Sequence, residues 1–177
     1  MYDLDCKIIK ESLFGLNNNM NEYFEEKEKM EILRDYILKN CSEIVQKLYS
    51  GVELRGTYEK GTGKASLFLS DPFYAEKIKE MLNGNFFPGT LNIRVNKNFK
   101  NLLTFLKYFP SFSIKGNKWH GSVYIHRCRI FDEECLILFP EKSAYEDTVE
   151  IVSKKKLSEY YDMQYGKEYT INVFVKF

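Results

Sequence analysis

Past Gly51 the sequence breaks into short β-prone stretches, and this feature most restricts what the chain can become. VELRGTY, ASLFLS, TLNIRV, GSVYIHRCRI, CLILF and YTINVFVKF are rich in branched and aromatic residues, and each reads as a strand. In the last stretch Tyr169, Ile171, Val173 and Val175 fall on one face, with Thr170, Asn172, Phe174 and Lys176 on the other. Helical inserts are expected around residues 72–83 and 154–162. Six or more short strands with few helices predict a mainly β protein. A closed or nearly closed barrel accommodates them better than a doubly wound sheet does.

The first fifty residues differ in kind. Residues 17–31 (NNNMNEYFEEKEKME) read as a polar loop running into a solvated helix start. From there Met30, Leu33, Ile37, Cys41, Ile44 and Leu48 recur at steps of three and four, which predicts one amphipathic helix over roughly 28–49. A short helix is also expected within residues 3–15. The chain therefore divides into a helical N-terminal appendage, residues 1–50, and a barrel domain, residues 51–177.

Composition narrows the function classes. The 177 residues carry 26 Lys+Arg against 25 Asp+Glu, a formal net charge of +1, so no general attraction to polyanions favours nucleic-acid binding. No apolar run approaches the roughly 20 residues that cross a bilayer. Asp3, Asp5 and Lys7 interrupt the start without an apolar segment after them, so no secretory leader is expected. Cys6, Cys41, Cys128 and Cys135 then read as free thiols in a reducing cytoplasm, with a Cys128–Cys135 crosslink across a hairpin as the alternative.

Three segments have the residue types that chemistry needs. Gly61-Thr62-Gly63-Lys64-Ala65, followed by Ser66, lies between two strand-like stretches. It reads either as a hairpin turn or as a phosphate cradle, with backbone amides aimed at oxygens and Lys64 adding charge. It is not a Walker A loop, because Ala65 follows Lys64 and a strand is expected next. In PGTLNIRV, period two puts Leu91, Ile93 and Val95 inside and Thr90, Asn92 and Arg94 on the other face. Those polar residues fit an ordinary half-exposed strand. Thr90 and Asn92 also fit a hard cation such as Mg²⁺, held weakly until a nucleotide's phosphates join. In residues 139–157, Ser143 and Glu150 can hydrogen-bond a polar ligand. Lys154, Lys155 and Lys156 are either a solvated run or a phosphate-neutralising cluster. A zinc site from His120, His126, Cys128 and Cys135 lacks the paired close spacing such sites use.

Taken in order, these segments resemble the archaeal CTP-dependent riboflavin kinases over roughly residues 52–177. FPGTLNIRV (87–95) is similar to that family's P-x-G-T-L-N strand. It is flanked in family order by LRGTYEKGTGKASLFLS (54–70), Asp71-Pro72-Phe73-Tyr74, LILFPEKSAYEDTVEIV (136–152) and KKLSEYYDMQYGKEYTINV (155–173). The resemblance implies a six-stranded cradle-loop barrel that transfers the terminal phosphoryl of CTP to the 5′-hydroxyl of riboflavin, giving FMN and CDP. It implies that Gly61, Thr62, Gly63, Lys64, Ala65 and Ser66 cradle the CTP phosphates, and that Thr90 and Asn92 coordinate one Mg²⁺. By the same resemblance Ser143 and Glu150 lie at the flavin side, and Ser153, Lys154, Lys155 and Lys156 line the nucleotide. Glu150 is the only candidate base. Departures from the family pattern are Ser143 in place of Thr, Ser158 in place of Arg, and Ser153-Lys154-Lys155 in place of a more apolar run. A cytoplasmic monomer acting on small molecules is the expectation, with neither nucleic acid nor membrane as partner. An inactive flavin- or nucleotide-binding relative, a barrel-type nucleic-acid binder and a structural partner module are the alternatives.

Overall fold

The computed structural model describes residues 2–14, 27–143 and 146–176. Its seven strands are β1 (Val52–Glu59), β2 (Leu91–Val95), β3 (Phe112–Ile114), β4 (Val123–Ile130), β5 (Glu133–Pro140), β6 (Thr148–Ser153) and β7 (Glu168–Phe174). Every pairing is antiparallel, in the order β3-β4-β5-β6-β2-β1-β7. A further β4–β7 pairing, with Cys128 opposite Val173, closes six of these strands into a barrel and leaves β3 as a short outer addition. Closure removes the unpaired edges that an open sheet would expose.

Helices occupy the connections and one end: α1 (Tyr2–Leu13), α2 (Lys27–Asn40), α3 (Ser42–Ser50), α4 (Ala65–Ser70), α5 (Pro72–Leu82), α6 (Lys100–Tyr108) and α7 (Leu157–Tyr160). No helix among the described residues is long and apolar enough to cross a membrane. The helix expected over 28–49 is bent at Cys41 (φ −121°, ψ 63°), which separates α2 from α3. Leu33, Ile37, Cys41, Ile44 and Leu48 keep the predicted stripe and pack in the same apolar cluster as the barrel interior. The Met30 side chain and the loop expected over 17–26 lie outside the described residues.

Period two decides the layers. On β5, Cys135, Ile137 and Phe139 join the interior cluster with α6 and the N-terminal helices, whereas Leu136 and Leu138 pack outside with Ile78 and Leu82 of α5. Both faces of β5 are thus buried, which accounts for its unbroken apolar run. Each fully buried Leu or Ile contributes roughly 1.5–3 kcal/mol.

Two expectations are corrected. ASLFLS is α4, not a strand. β1 already pairs with β2 on one side and β7 on the other, so the closed barrel offers residues 65–70 no edge. Ser66 Oγ and Ser70 Oγ instead donate to the carbonyls of Gly63 (2.8 Å) and Ser66 (2.7 Å), leaving Leu67 79% exposed. The sixth barrel strand is β6. The four cysteines are not all free: Cys6 and Cys41 form a disulfide between α1 and the α2–α3 bend, while Cys128 and Cys135 are buried thiols facing each other across β4 and β5. The predicted insert over 154–162 is only the single turn α7.

His126, a residue of β4, lies inside the fold against α6. Its Nε2–H donates to Leu106 O (2.8 Å), one of the last carbonyls of α6, which leaves Nδ1 facing Ser111 Oγ (2.9 Å). Burial lowers its pKa to about 4. The unfolded chain, with an ordinary histidine near 6.5, takes up this proton first. Stability from neutral His126 is therefore complete above about pH 6.5 and is lost as pH falls toward 4, a change on the order of 3 kcal/mol. We predict that the urea midpoint of the wild type falls across this window and that His126→Gln, which keeps a donor for Leu106 O, flattens the fall. An equally steep fall in the variant contradicts the assignment.

Candidate active site

Across the outer face of the barrel, register puts Glu59 of β1 opposite Asn92 of β2, and Asn92 opposite Glu150 of β6. Leu91, Ile93 and Val95 point inward, as predicted. The other face is not simply half-exposed, however. Asn92 is only 5% exposed, while Arg94 two residues on is exposed and pairs with Glu59 (Nε–Oε1 2.8 Å). What covers Asn92 is the glycine turn: a Cβ at Gly61 would lie 2.7 Å from Asn92 Nδ2. An alanine methyl there would have to push the Asn92 amide aside, so glycine is what permits the close approach. Thr90 Oγ1 donates to Asn92 Oδ1 (2.9 Å), so the two oxygens that sequence pairs on one face are in contact.

The turn separates two clefts. One, of about 530 Å³, is lined by Gly61, Gly63, Ser66 and Thr90, with Ser153, Lys155 and Lys156 on its far wall. The second, of about 570 Å³, is lined by Thr62, Lys64, Phe68 and Tyr74, with Ser143 and Glu150 opposite. Both volumes suit small-molecule sites. Ala65 lines both clefts, so the turn is the wall they share. A third hollow, of about 360 Å³, continues past Ser143 and Glu150 toward Tyr124.

The predicted site residues therefore split. Glycines and Ser66 face the first cleft; Thr62 and Lys64 face the second. Lys155 pairs with Glu133 and lies 3.9 Å from the centre of the Tyr160 ring, and Lys156 pairs with Glu159. Lys154 is not among the cleft residues; it is exposed beside Gly84. Turn and β6 bring the rest together.

Glu150 is half-buried, and burial raises its carboxyl above the ordinary glutamate range. Among the described residues no cation pairs with it, whereas Glu59 on the far side of Asn92 has Arg94. A carboxylate with raised proton affinity at the edge of a cleft has the character of a proton acceptor. Sequence reading did not single out Tyr58 and Tyr165, whose rings stack at 4.5 Å in the first cleft, nor Phe68 and Tyr74, 4.0 Å apart in the second. Tyrosines this abundant give no positional signal; only the proximity of Tyr58 to the glycine turn could have marked it.

The fold is a small closed six-stranded antiparallel barrel with two clefts that meet at a glycine turn. The family model CTP-dep_RFKase, described as a domain of unknown function (DUF120), matches residues 59–173. The chain belongs to this CTP-dependent riboflavin kinase family. Among its curated relatives, the riboflavin kinase of Methanobrevibacter smithii is 31% identical over 117 residues, covering 65% of this chain and 94% of that protein. The riboflavin kinase of Picrophilus torridus is 31% identical over 138 residues, 75% of this chain and 62% of its own length. That of Methanopyrus kandleri is 25% identical over 119 residues, 67% and 81% of the two chains. This chain thus spans about six-tenths of the Picrophilus protein.

Gly61→Ala tests the close approach. Its methyl group must displace Asn92, so any turnover that depends on Asn92 is expected to fall at least about tenfold, or 1.4 kcal/mol, with the thermal midpoint nearly unchanged. Undiminished turnover would show that the Asn92 position is not critical.

Proposed function

We propose that the protein is a riboflavin kinase that transfers the terminal phosphoryl of CTP to the riboflavin 5′-hydroxyl, giving FMN and CDP. The observation that carries this reading is the glycine turn packed on Asn92, with Thr90 in contact, at the wall between two small-molecule clefts. The first cleft takes the nucleotide. Its turn amides, with Lys155 and Lys156 across it, offer donors and positive charge to phosphates. The second takes the flavin, its ring system against Phe68 and Tyr74 and its polar chain toward Ser143 and Glu150. Such a division sets donor phosphate and acceptor hydroxyl on either side of Asn92, and alignment is most of what phosphoryl transfer asks of a protein.

Mg²⁺ fits the residues at this wall. Thr90 Oγ1 and Asn92 Oδ1 are neutral hard oxygens, and the single hydrogen bond between them leaves each a free lone pair. No cluster of three His, Cys, Asp or Glu residues suited to a metal occurs among the described residues, so a nucleotide would have to bring the remaining ligands. Bound with CTP, the ion supplies neutralisation of charge on the transferring phosphoryl group. Glu150 takes the proton released by the 5′-hydroxyl as the O–P bond forms and CDP departs.

Three outcomes are expected. Riboflavin incubated with CTP, ATP, GTP or UTP, with and without Mg²⁺, gives FMN by chromatography, with CTP and Mg²⁺ the best pair; equal rates with every nucleotide would exclude CTP dependence. Asn92→Ala lowers that rate at least about tenfold. The wild-type rate falls on acidification through a pKa above the ordinary glutamate range, because the protonated carboxyl accepts nothing, and Glu150→Gln abolishes this limb together with most of the rate. An acid limb that survives in the variant would assign the base elsewhere.

A further inference from the structure

The hairpin between β3 and β4 ends in a loop, residues 115–122, whose Gly121 and Ser122 form part of the second cleft's wall. The loop closes on itself tightly. Asn117 N donates to His120 O (2.8 Å), and a Cβ at Gly116 would lie 2.4 Å from that same oxygen. Asn117 Oδ1 accepts from the backbone N–H groups of Trp119 (2.8 Å) and His120 (3.0 Å). Two donors fix which amide atom points there: it is the oxygen.

That same oxygen lies 3.0 Å from His120 Nδ1, and the other ring nitrogen, Nε2, lies 3.1 Å from Asp71 Oδ2. His120 therefore stands between two acceptors. A neutral imidazole has one N–H and would turn a lone pair toward the second oxygen; only the imidazolium donates to both. Asp71 cannot turn away cheaply, because its Oδ1 accepts from Phe73 N (2.9 Å) and caps α5. The ring also lies flat on Phe73, with centroids 4.2 Å apart and planes 13° off parallel. Beside it, Tyr74 Oη of the cleft wall donates to Gly121 O (2.9 Å).

We propose that His120 is a positioning residue of the acceptor cleft: its protonated ring latches the 115–122 loop to Asp71, and losing the proton loosens the wall that holds the flavin. The inference rests on the flavin reading of the second cleft. The charged and titratable groups around the latch are Asp71 and Tyr74 from the α4–α5 corner, Lys118 on the loop, and Glu141 at the end of β5. Lys118 Nζ lies 5.2 Å from the centre of the Trp119 ring, and Glu141 Oε2 accepts from Ser122 N (3.1 Å). Of these, only Asp71 makes a hydrogen bond to the ring.

The test measures riboflavin affinity by flavin fluorescence quenching, without nucleotide, across the imidazole range of about pH 5 to 8. Trp119, the chain's single tryptophan and 82% exposed, reports the loop by its own emission in the absence of flavin. The wild type is expected to lose affinity about tenfold as pH rises, with Trp119 emission titrating in step. His120→Phe keeps the stack on Phe73 and removes both donors; its affinity should be low and flat with pH. Asp71→Asn keeps the cap and places an amide donor opposite Nε2, a partner for the neutral ring, so its affinity should instead improve toward high pH. Wild-type affinity and Trp119 emission that are both independent of pH, or a pH dependence that persists in His120→Phe, overturn the proposal. Absence of flavin binding at every pH would instead overturn the proposed function and with it the affinity claim, while Trp119 emission still decides whether the latch titrates.

Discussion

On the outer face of the barrel the backbone of Gly61 passes so close to an amide side chain that a Cβ there would lie 2.7 Å from Asn92 Nδ2. The contact depends on barrel closure. Pairing of β4 with β7 completes the ring of strands, and the ring fixes Asn92 between Glu59 and Glu150 on its outer face. The chain leaving β1 then turns across that row before entering α4 and α5. Asn92 is thereby buried on a face that would otherwise be open to water, and the space outside the barrel is divided into two clefts. The two clefts meet at this shared wall.

Two ionisable groups, one buried and one half-buried, show how position separates structure from chemistry. His126 lies in the interior with both ring nitrogens occupied, and burial holds it neutral. Glu150 lies on the outer face at the edge of a cleft, and the same desolvation raises its affinity for a proton while it still meets the cleft. Desolvation acts on both. One serves as a strut between α6 and β4, while the other lies at the edge of a cleft.

Much of this was legible in the chain itself. Alternation in TLNIRV and YTINVFVKF assigned β2 and β7, and the 72–83 insert emerged as α5 because Asp71 and Pro72 are strong helix-start residues. ASLFLS was misread because its alternating apolar residues imitate a strand, whereas the decisive fact, a β1 with both edges already paired, belongs to the closed barrel. α6 (Lys100–Tyr108) drew no assignment, although Leu102, Leu103, Phe105 and Leu106 recur at helical spacing and are all buried; nine residues between strand-like stretches were passed over. At the site, Thr90, Asn92 and the glycine turn could be read from residue type and spacing. Their contact could not, because it joins residues about thirty positions apart. Lys154 differs from its neighbours: in a run of three lysines, only Lys155 and Lys156 line the cleft.

On the proposed reading, Thr90 and Asn92 face the phosphates of a nucleotide held by the turn. Paramagnetic broadening by Mn²⁺ in amide-labelled protein tests it most directly. With CTP present, substoichiometric Mn²⁺ should broaden the Asn92 side-chain amide and the backbone amides of residues 61–66 first, and without nucleotide it should leave them sharp. Broadening centred on a different part of the barrel, with these resonances untouched in the presence of CTP, would contradict the account.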